Sequence, residues 1–158
     1  MSHVIGDTHS DSAGADALMA AVRAVLQPGS STQVAVSARR HQFTVDEPLA
    51  WDGTDLGATP VEHLLAALAS CTVITYRYWA RQLDLEIESI AVDVRGSFAT
   101  AEGARPGFVG VELVASVTGP ESATTYRRLE AVVAAHCPVA DNLTNGVPLT
   151  TRLELPAA

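Results

Sequence analysis

The fold of this 158-residue chain depends most on one stretch, TPVEHLLAALASCTVITYRYWAR, residues 59–81. Thr59 can cap a helix, Pro60 suits the first helical position, and Glu62 stands three residues after the cap, as in a capping box. The sequence therefore predicts a helix that runs from Pro60 to about Arg81.

This predicted helix carries no charge between His63 and Arg77, and its apolar side chains fall on every face. A helix on the surface of a small domain has a polar face, so this helix is expected to be central. Its small residues would let another backbone approach closely, and they are Ala66, Ala67, Ala69 and Ser70. We therefore expect a homodimer in which a second subunit covers one side of the helix.

The rest of the chain alternates between strand and helix patterns. Helical spacing predicts a short amphipathic helix over residues 15–27 and a second long helix over residues 122–137, which Pro138 ends. Alternation of apolar and polar residues predicts strands over 34–38, 43–45, 87–98, 109–117 and 147–153. This order predicts an α+β fold with antiparallel sheet and two packed helices.

Composition limits the class of protein. The chain is 47% hydrophobic and 18% charged, which predicts one compact domain. The polar start, the short helix pattern and the Pro28-Gly29 break assign residues 1–30 to an N-terminal segment and residues 31–158 to that domain. The net charge is −8 and all ten basic residues are arginine, which argues against nucleic acid or an anionic membrane as a partner. Because no targeting signal or membrane-spanning pattern is visible, the expected location is the cytoplasm.

Two cysteines are the candidates for chemistry. Burial raises the pKa of a thiol, so Cys71, inside the apolar helix, needs a cation to react as a thiolate. Arg39 and Arg40, at the end of a predicted strand, are candidates for that cation. Cys137 ends the second long helix, where the partial negative charge opposes a thiolate, so it suits a resolving role better than an attacking one.

Plainer interpretations stand beside these. Two cysteines in a reduced compartment are often inert core residues. His136 is expected to be satisfied by a carbonyl group rather than to act with Cys137, because adjacent helical residues point about 100° apart. Asp46 and its neighbours read as a turn, and Trp79 as core or pocket lining. No metal-binding or cofactor-binding motif is visible.

Several motifs, taken together, resemble the OsmC family, which includes the organic hydroperoxide resistance proteins. They cover the chain from about residue 34 to its end, and they are DEP (46–48), TPVEHLLAALASC (59–71), RPGF (105–108), HCPV (136–139) and LTNGVP (143–148). The resemblance implies an intertwined homodimer with central cysteine-bearing helices, antiparallel sheets outside them and active sites at the subunit interface.

The resemblance also implies a mechanism. Cys71 would be the peroxidatic thiol, which reduces an organic hydroperoxide to an alcohol, and Cys137 would be the resolving thiol, which forms a disulfide with it. An external dithiol or lipoylated protein would then reduce this disulfide, with no bound cofactor. In the family's reductases a glutamate directly follows the proline and pairs with an activating arginine. Here Val61 has that place, and Glu62 either serves instead or only caps the helix.

A function of another class uses the same residues. A non-catalytic binding protein would hold an apolar small molecule in a pocket at the dimer interface, with Cys71 as an oxidation sensor. The retained cysteine pair favours the peroxidase, and Val61 favours the binding protein.

Overall fold

A computed structural model describes residues 20–156 of the chain. The described residues form two compact units, one ending at Gly57 and the other beginning at Ala58. The first unit contains β1 (Arg23–Leu26), β2 (Val34–Ala38) and β3 (His41–Val45), followed by a 3-10 turn, Leu49–Trp51. The second contains α1 (Pro60–Gln82), β4 (Ser89–Phe98), β5 (Phe108–Thr118), α2 (Ala123–His136) and α3 (Pro138–Asn145).

The first unit is a three-stranded antiparallel sheet in the order β1-β2-β3. The two strands predicted over 34–38 and 43–45 are confirmed, and they pair with Val34 opposite Val45. The helix predicted over 15–27 is wrong for its described residues, 20–27, of which residues 23–26 form β1 and pair with β2. Gly29, at a φ of 79°, turns the chain between these strands, and an available strand edge outweighs the helical spacing. Residues 15–19 of that prediction lie outside the described part.

Asp46 organises the loop that follows β3. Its side chain is fully buried, with 0% relative exposure. One carboxylate oxygen accepts hydrogen bonds from the Thr32 hydroxyl at 2.7 Å and the Glu47 N–H at 2.8 Å. The other accepts from the Thr54 hydroxyl at 2.5 Å, the Thr54 N–H at 3.1 Å and the Leu56 N–H at 3.2 Å. The predicted turn is therefore a loop wound around one buried carboxylate.

The second unit begins with the helix predicted from residue 60, and this prediction is confirmed. The Thr59 hydroxyl accepts a hydrogen bond from the Glu62 N–H at 3.3 Å, and the Glu62 carboxylate accepts from the Thr59 N–H at 2.8 Å. These two contacts form the expected capping box. They satisfy backbone groups that a helix start otherwise leaves unpaired, and Pro60 needs no such partner.

The strands β4 and β5 form the predicted hairpin. Their antiparallel register runs from Ser89 opposite Thr118 to Phe98 opposite Phe108, with an irregularity between Ser97 and Phe98. Gly96 makes room for the Phe108 ring, because a Cβ there would lie 2.3 Å from it. This close approach explains a glycine inside a strand.

The core of the second unit lies where α1 packs against β4 and α2. Its buried members are Tyr76, Ala80, Ile87, Leu129 and Val133. Leu129 is fully buried, and truncating such a leucine to alanine typically costs about 2–5 kcal/mol of stability. The α+β class with antiparallel sheets is confirmed, whereas the homodimer and the single domain over residues 31–158 stay predictions.

The structure differs from the predictions at two places after residue 137. Pro138 ends α2 as expected, but it is also the first residue of an unpredicted helix, α3. Proline is well suited to that position, because its missing N–H has no helical partner to lose. The strand predicted over 147–153 is absent, and its side chains are exposed, with Leu149 at 88% and Leu153 at 81%. Residues 146–156 lack a partner strand in the described part, and an unpaired strand has no hydrogen bonds to hold it.

None of the helices within residues 20–156 combines the length and the apolar character that a membrane span requires.

Candidate functional site

The two cysteines meet at the junction of the three helices. Cys71 lies in the middle of α1, Cys137 lies between α2 and α3, and α1 packs against both of these helices. Both thiols are free, and they are close enough that each shifts the pKa of the other. Cys71 is half-buried, whereas Cys137 is 3% exposed. The sequence separation of 66 residues is therefore closed by helix packing alone.

The environment of Cys71 opposes ionisation. Burial raises the pKa of this thiol, and the neighbouring Cys137 raises the pKa further. A hydrogen bond from the Val139 N–H offsets only part of this effect. The predicted need for a nearby cation therefore applies to the site as it stands.

The environment of Cys137 has the opposite effect. Burial alone would raise the pKa of this thiol, but hydrogen bonds from the Ala140 N–H and from other donors hold the pKa below its ordinary value. The opposing effect expected from the C-terminus of α2 is therefore outweighed by these donors. Cys137 is also the residue that precedes α3, and the free N–H groups at a helix N-terminus stabilise an anion.

Thr72 lies beside this pair. Its hydroxyl donates a hydrogen bond to the Leu68 carbonyl oxygen at 2.9 Å. The Thr72 hydroxyl oxygen is also 3.7 Å from the Cys137 sulfur. A hydroxyl has one hydrogen, so Thr72 serves the protonated Cys137 as an acceptor and can turn its hydrogen to the sulfur when the thiol ionises.

An apolar cavity of about 400 Å³ opens onto the Cys71 side of the pair. Trp79 forms one wall, with its ring 5.5 Å from the Tyr78 ring and 4.5 Å from the His136 ring, between centroids. Its lining residues are Cys71, Ile74, Thr75, Tyr78, Trp79, His136 and Pro138. Cys137 is absent from this lining. A small molecule in the cavity would thus meet the Cys71 thiol, with Cys137 behind it.

His136 is held as predicted. Its Nδ1 atom lies 2.7 Å from the Val132 carbonyl oxygen, one turn back in α2. The sequence alone did not predict that the same ring lines the cavity with Cys71, because this depends on how α1 and α2 pack. The sequence feature that pointed to a pocket lining was the aromatic Trp79, eight residues after Cys71 on the same helix.

The remaining predicted site residues have separate settings. Glu62 is occupied in the capping box, and hydrogen bonds from the Thr59 N–H and hydroxyl lower the pKa of its carboxyl group. Arg39 and Arg40 form the exposed turn between β2 and β3, and Arg39 has a φ of 55°. Within residues 20–156 neither arginine makes an ion pair or a hydrogen bond through its side chain. Their contact with Cys71 and the catalytic role of Glu62 stay predictions.

A second cavity of the same unit, about 460 Å³ in volume, lies away from the cysteines. Val61 and Leu64 of α1 line it together with the start of β5 and the end of α3. Among the described residues, Arg105 is the one charged side chain of its lining. No group of three or more histidine, cysteine, aspartate or glutamate side chains in the described part is arranged to hold a metal ion.

The OsmC-like protein family matches residues 53–152, which include both cysteines and all three helices. The chain belongs to the OsmC-like protein family. A comparison with curated proteins finds no match.

Solved structures agree with this assignment. An OsmC-like protein from Mycoplasma pneumoniae is 25% identical, covers 82% of this chain and 89% of its own, and has a TM-score of 0.72. An organic hydroperoxide resistance protein from Legionella pneumophila is 18% identical, with 80% and 90% coverage and a TM-score of 0.64. Another from Elizabethkingia anophelis, with thiocyanate bound, is 17% identical, with 84% and 93% coverage and a TM-score of 0.64. At 18% and 17% identity, the last two similarities show the shared fold alone.

Proposed function

We propose that this protein is a thiol-dependent peroxidase that reduces organic hydroperoxides to alcohols. The observation that carries the proposal is a pair of neighbouring free thiols at an apolar cavity, with Cys71 in the cavity lining and Cys137 buried next to it. Membership of the OsmC-like family, which contains hydroperoxide resistance proteins among its solved structures, supports the same reaction.

The first step assigns the attack to Cys71. Its thiolate attacks the terminal oxygen of the hydroperoxide, the O–O bond breaks, and Cys71 becomes a sulfenic acid while the alkoxide takes up a proton and leaves as an alcohol. Access decides this role, because a substrate in the cavity meets Cys71 and not the buried Cys137. Activation requires a cation, for which Arg39 or Arg40 is proposed.

The second step assigns resolution to Cys137. A resolving thiol also attacks as its thiolate, and the N–H groups at the start of α3 favour that form. The Cys137 thiolate attacks the sulfenic sulfur of Cys71, hydroxide leaves as water after protonation, and a disulfide forms. An external dithiol of the lipoyl type, free or on a lipoylated protein, then reduces this disulfide by two exchange steps.

The cavity favours organic substrates over hydrogen peroxide. Ile74, Tyr78 and Trp79 supply an apolar lining, and each buried CH₂ group contributes about 0.8 kcal/mol of binding. An alkyl or aryl substituent therefore increases the time that the peroxide group spends beside Cys71, whereas hydrogen peroxide gains nothing from this lining.

Turnover of cumene hydroperoxide with a dihydrolipoyl reductant tests the proposal. We expect turnover by the wild type, none by Cys71→Ser, and a single round by Cys137→Ser followed by overoxidation of Cys71. Peroxide consumption that survives in Cys71→Ser would contradict the assigned attack. Equal rates with hydrogen peroxide and cumene hydroperoxide would contradict the substrate class.

We also propose that the working form is a cytoplasmic homodimer. On α1 the exposed fractions are 67% for Ile74 and 55% for Tyr78, and the small residues Ala66 and Ala67 are exposed beside them. Apolar surface of this kind on a central helix is usually covered by a partner.

Light scattering tests the dimer directly. We expect twice the 16.5 kDa mass of the chain, and a folded protein at the single-chain mass would contradict the dimer. Ala67→Glu should reduce folded yield strongly, because the dimer and the fold are lost together. The matched control is Ala131→Glu on the exposed face of α2, which should stay soluble and dimeric.

The second cavity favours one alternative, a binding protein for an apolar molecule. Val61, where the family's reductases have glutamate, lines this cavity together with Arg105. A ligand with an apolar body and a carboxylate fits such a lining. Three results together would favour this alternative over the peroxidase. Decanoate would stabilise the protein, Arg105→Gln would remove that stabilisation, and the protein would show no peroxide turnover.

A further inference from the structure

His136 has one ring nitrogen fixed and one left for chemistry. A backbone carbonyl can only accept a hydrogen bond, so the contact of 2.7 Å to the Val132 oxygen requires a hydrogen on Nδ1. Packing of the ring against Trp79, at 4.5 Å between centroids, fixes its plane from the other side. Within residues 20–156 the second nitrogen, Nε2, makes no hydrogen bond.

The position of this ring suits a proton donor. His136 and Cys71 both line the cavity of about 400 Å³, so a small hydroperoxide bound there lies within reach of both side chains. His136 is also the last residue of α2 and directly precedes Cys137 in the chain. His136 is exposed in the described chain, which leaves its ring in contact with water for proton exchange after each turnover.

Resting on the proposed function, we propose that His136 is the general acid that protonates the leaving alkoxide. The Cys71 thiolate forms a bond to the terminal peroxide oxygen, the O–O bond breaks, and the imidazolium Nε2–H gives its proton to the departing oxygen. The products are the Cys71 sulfenic acid, the alcohol and a neutral imidazole, so atoms and charges balance. Histidine commonly serves as such an acid near neutral pH.

The leaving group provides a sharp test. An alkoxide is a strong base and needs a proton as it leaves, whereas the carboxylate released from a peracid is a weak base and does not. We therefore compare single-turnover rates with cumene hydroperoxide and with peracetic acid in the wild type and in His136→Phe. Phenylalanine keeps an aromatic ring against Trp79 and removes the acid. Both substrates react with the same thiolate, so the ratio of the two rates cancels any change in thiolate population.

We expect the rate with cumene hydroperoxide to fall by about 100-fold in His136→Phe, within the range usual for a lost general acid. The rate with peracetic acid should change by less than about threefold. The matched control is Arg128→Gln, which removes a cation from the exposed face of the same helix and should leave the ratio of rates unchanged. A thermal melt of each variant checks that its fold is intact.

A loss of equal size with both substrates would mean that His136 only shapes the cavity, and this would overturn the inference. No loss with either substrate would overturn it as well. A wild type that reacts with neither substrate would refute the proposed function itself, and His136 would have no reaction to assist. If the wild type is active and His136→Phe has the same ratio of the two rates as the wild type, only the inference about His136 fails.

Discussion

The Asp46 loop of the first unit and the thiol pair of the second both remove an ionisable group from water, but they treat its charge differently. Asp46 accepts five hydrogen bonds, and those from Thr54 and Thr32 hold the pKa of its carboxyl group well below the usual range. Burial instead raises the pKa of Cys71. An anion with a full set of hydrogen bonds stabilises a loop, whereas a thiol without such support remains available for reaction.

The two cysteines repeat this contrast over a shorter distance. Cys137 receives N–H donors from the start of α3, and its pKa is lowered although it is the more buried thiol. Cys71 lines the cavity and lacks comparable support. Solvent exposure and thiolate stability are therefore divided between the two sulfurs, which suits an attacking thiol that meets substrate and a resolving thiol that is ready to follow.

Replacing the saturated anion should give the largest effect on stability. Asp46→Asn turns one of the two acceptor oxygens into a donor that faces N–H and hydroxyl groups, so buried donors lose their partner. We expect the melting temperature of the protein to fall by more than about 5 °C. The matched control is Asp55→Asn in the same loop. Asp55 is exposed with a φ of 56°, a conformation that asparagine also tolerates. The melting temperature of the Asp55→Asn variant should therefore equal that of the wild type.

The same carboxylate should govern the response to acid. Because the folded pKa of Asp46 lies below the unfolded value, its contribution to stability is complete above the unfolded pKa of about 3.9 and is lost as the pH falls towards the folded pKa. A melting series from pH 7 to pH 2 should therefore decline less steeply below about pH 4 in Asp46→Asn than in the wild type. Parallel declines in the two proteins would contradict a depressed pKa at this site.

An effect of intermediate size is expected on the pKa of Cys71, the thiol that lacks support. If Arg39 or Arg40 activates Cys71, replacing that arginine with methionine should raise the pKa of the thiol by about 1–3 units. The pH dependence of Cys71 alkylation measures this shift, and the second arginine variant is the control for the first. Unchanged profiles in both variants would remove the arginines from the site.

The smallest effect should come from Glu62. Its carboxylate already serves the Thr59 N–H and hydroxyl, so Glu62→Gln should weaken the helix start by about 1 kcal/mol or less and leave Cys71 alkylation unchanged. Thr59→Ala, which removes the cap from the other side, is the matched comparison. A shift of the alkylation profile in Glu62→Gln alone would place this residue in the active site.

The parts that the sequence predicted well are those with local causes. Thr59, Pro60 and Glu62 define the start of α1 within four residues, and alternation defines β4 and β5 without reference to the rest of the chain. The errors arose where two local signals compete or where a partner decides. Residues 23–26 have helical spacing but pair with β2, and Pro138 both ends α2 and begins α3.

The candidate site divides in the same way. Both cysteines could be identified from the sequence, because their motifs are continuous. The relative stability of their thiolates could not, since it depends on α3, whose N–H groups reach Cys137 only after Pro138 restarts the helix. The shared cavity of Cys71 and His136 likewise depends on how α1 packs against α2.

The central claim is that Cys71 and Cys137 act as one redox pair on organic hydroperoxides. Its most direct test adds one equivalent of cumene hydroperoxide to the fully reduced protein and maps the products by peptide mass spectrometry. The claim predicts complete consumption of the peroxide and a single Cys71–Cys137 disulfide within each chain. Two free thiols beside unreacted peroxide, or oxidation that leaves Cys71 unmodified, would contradict it.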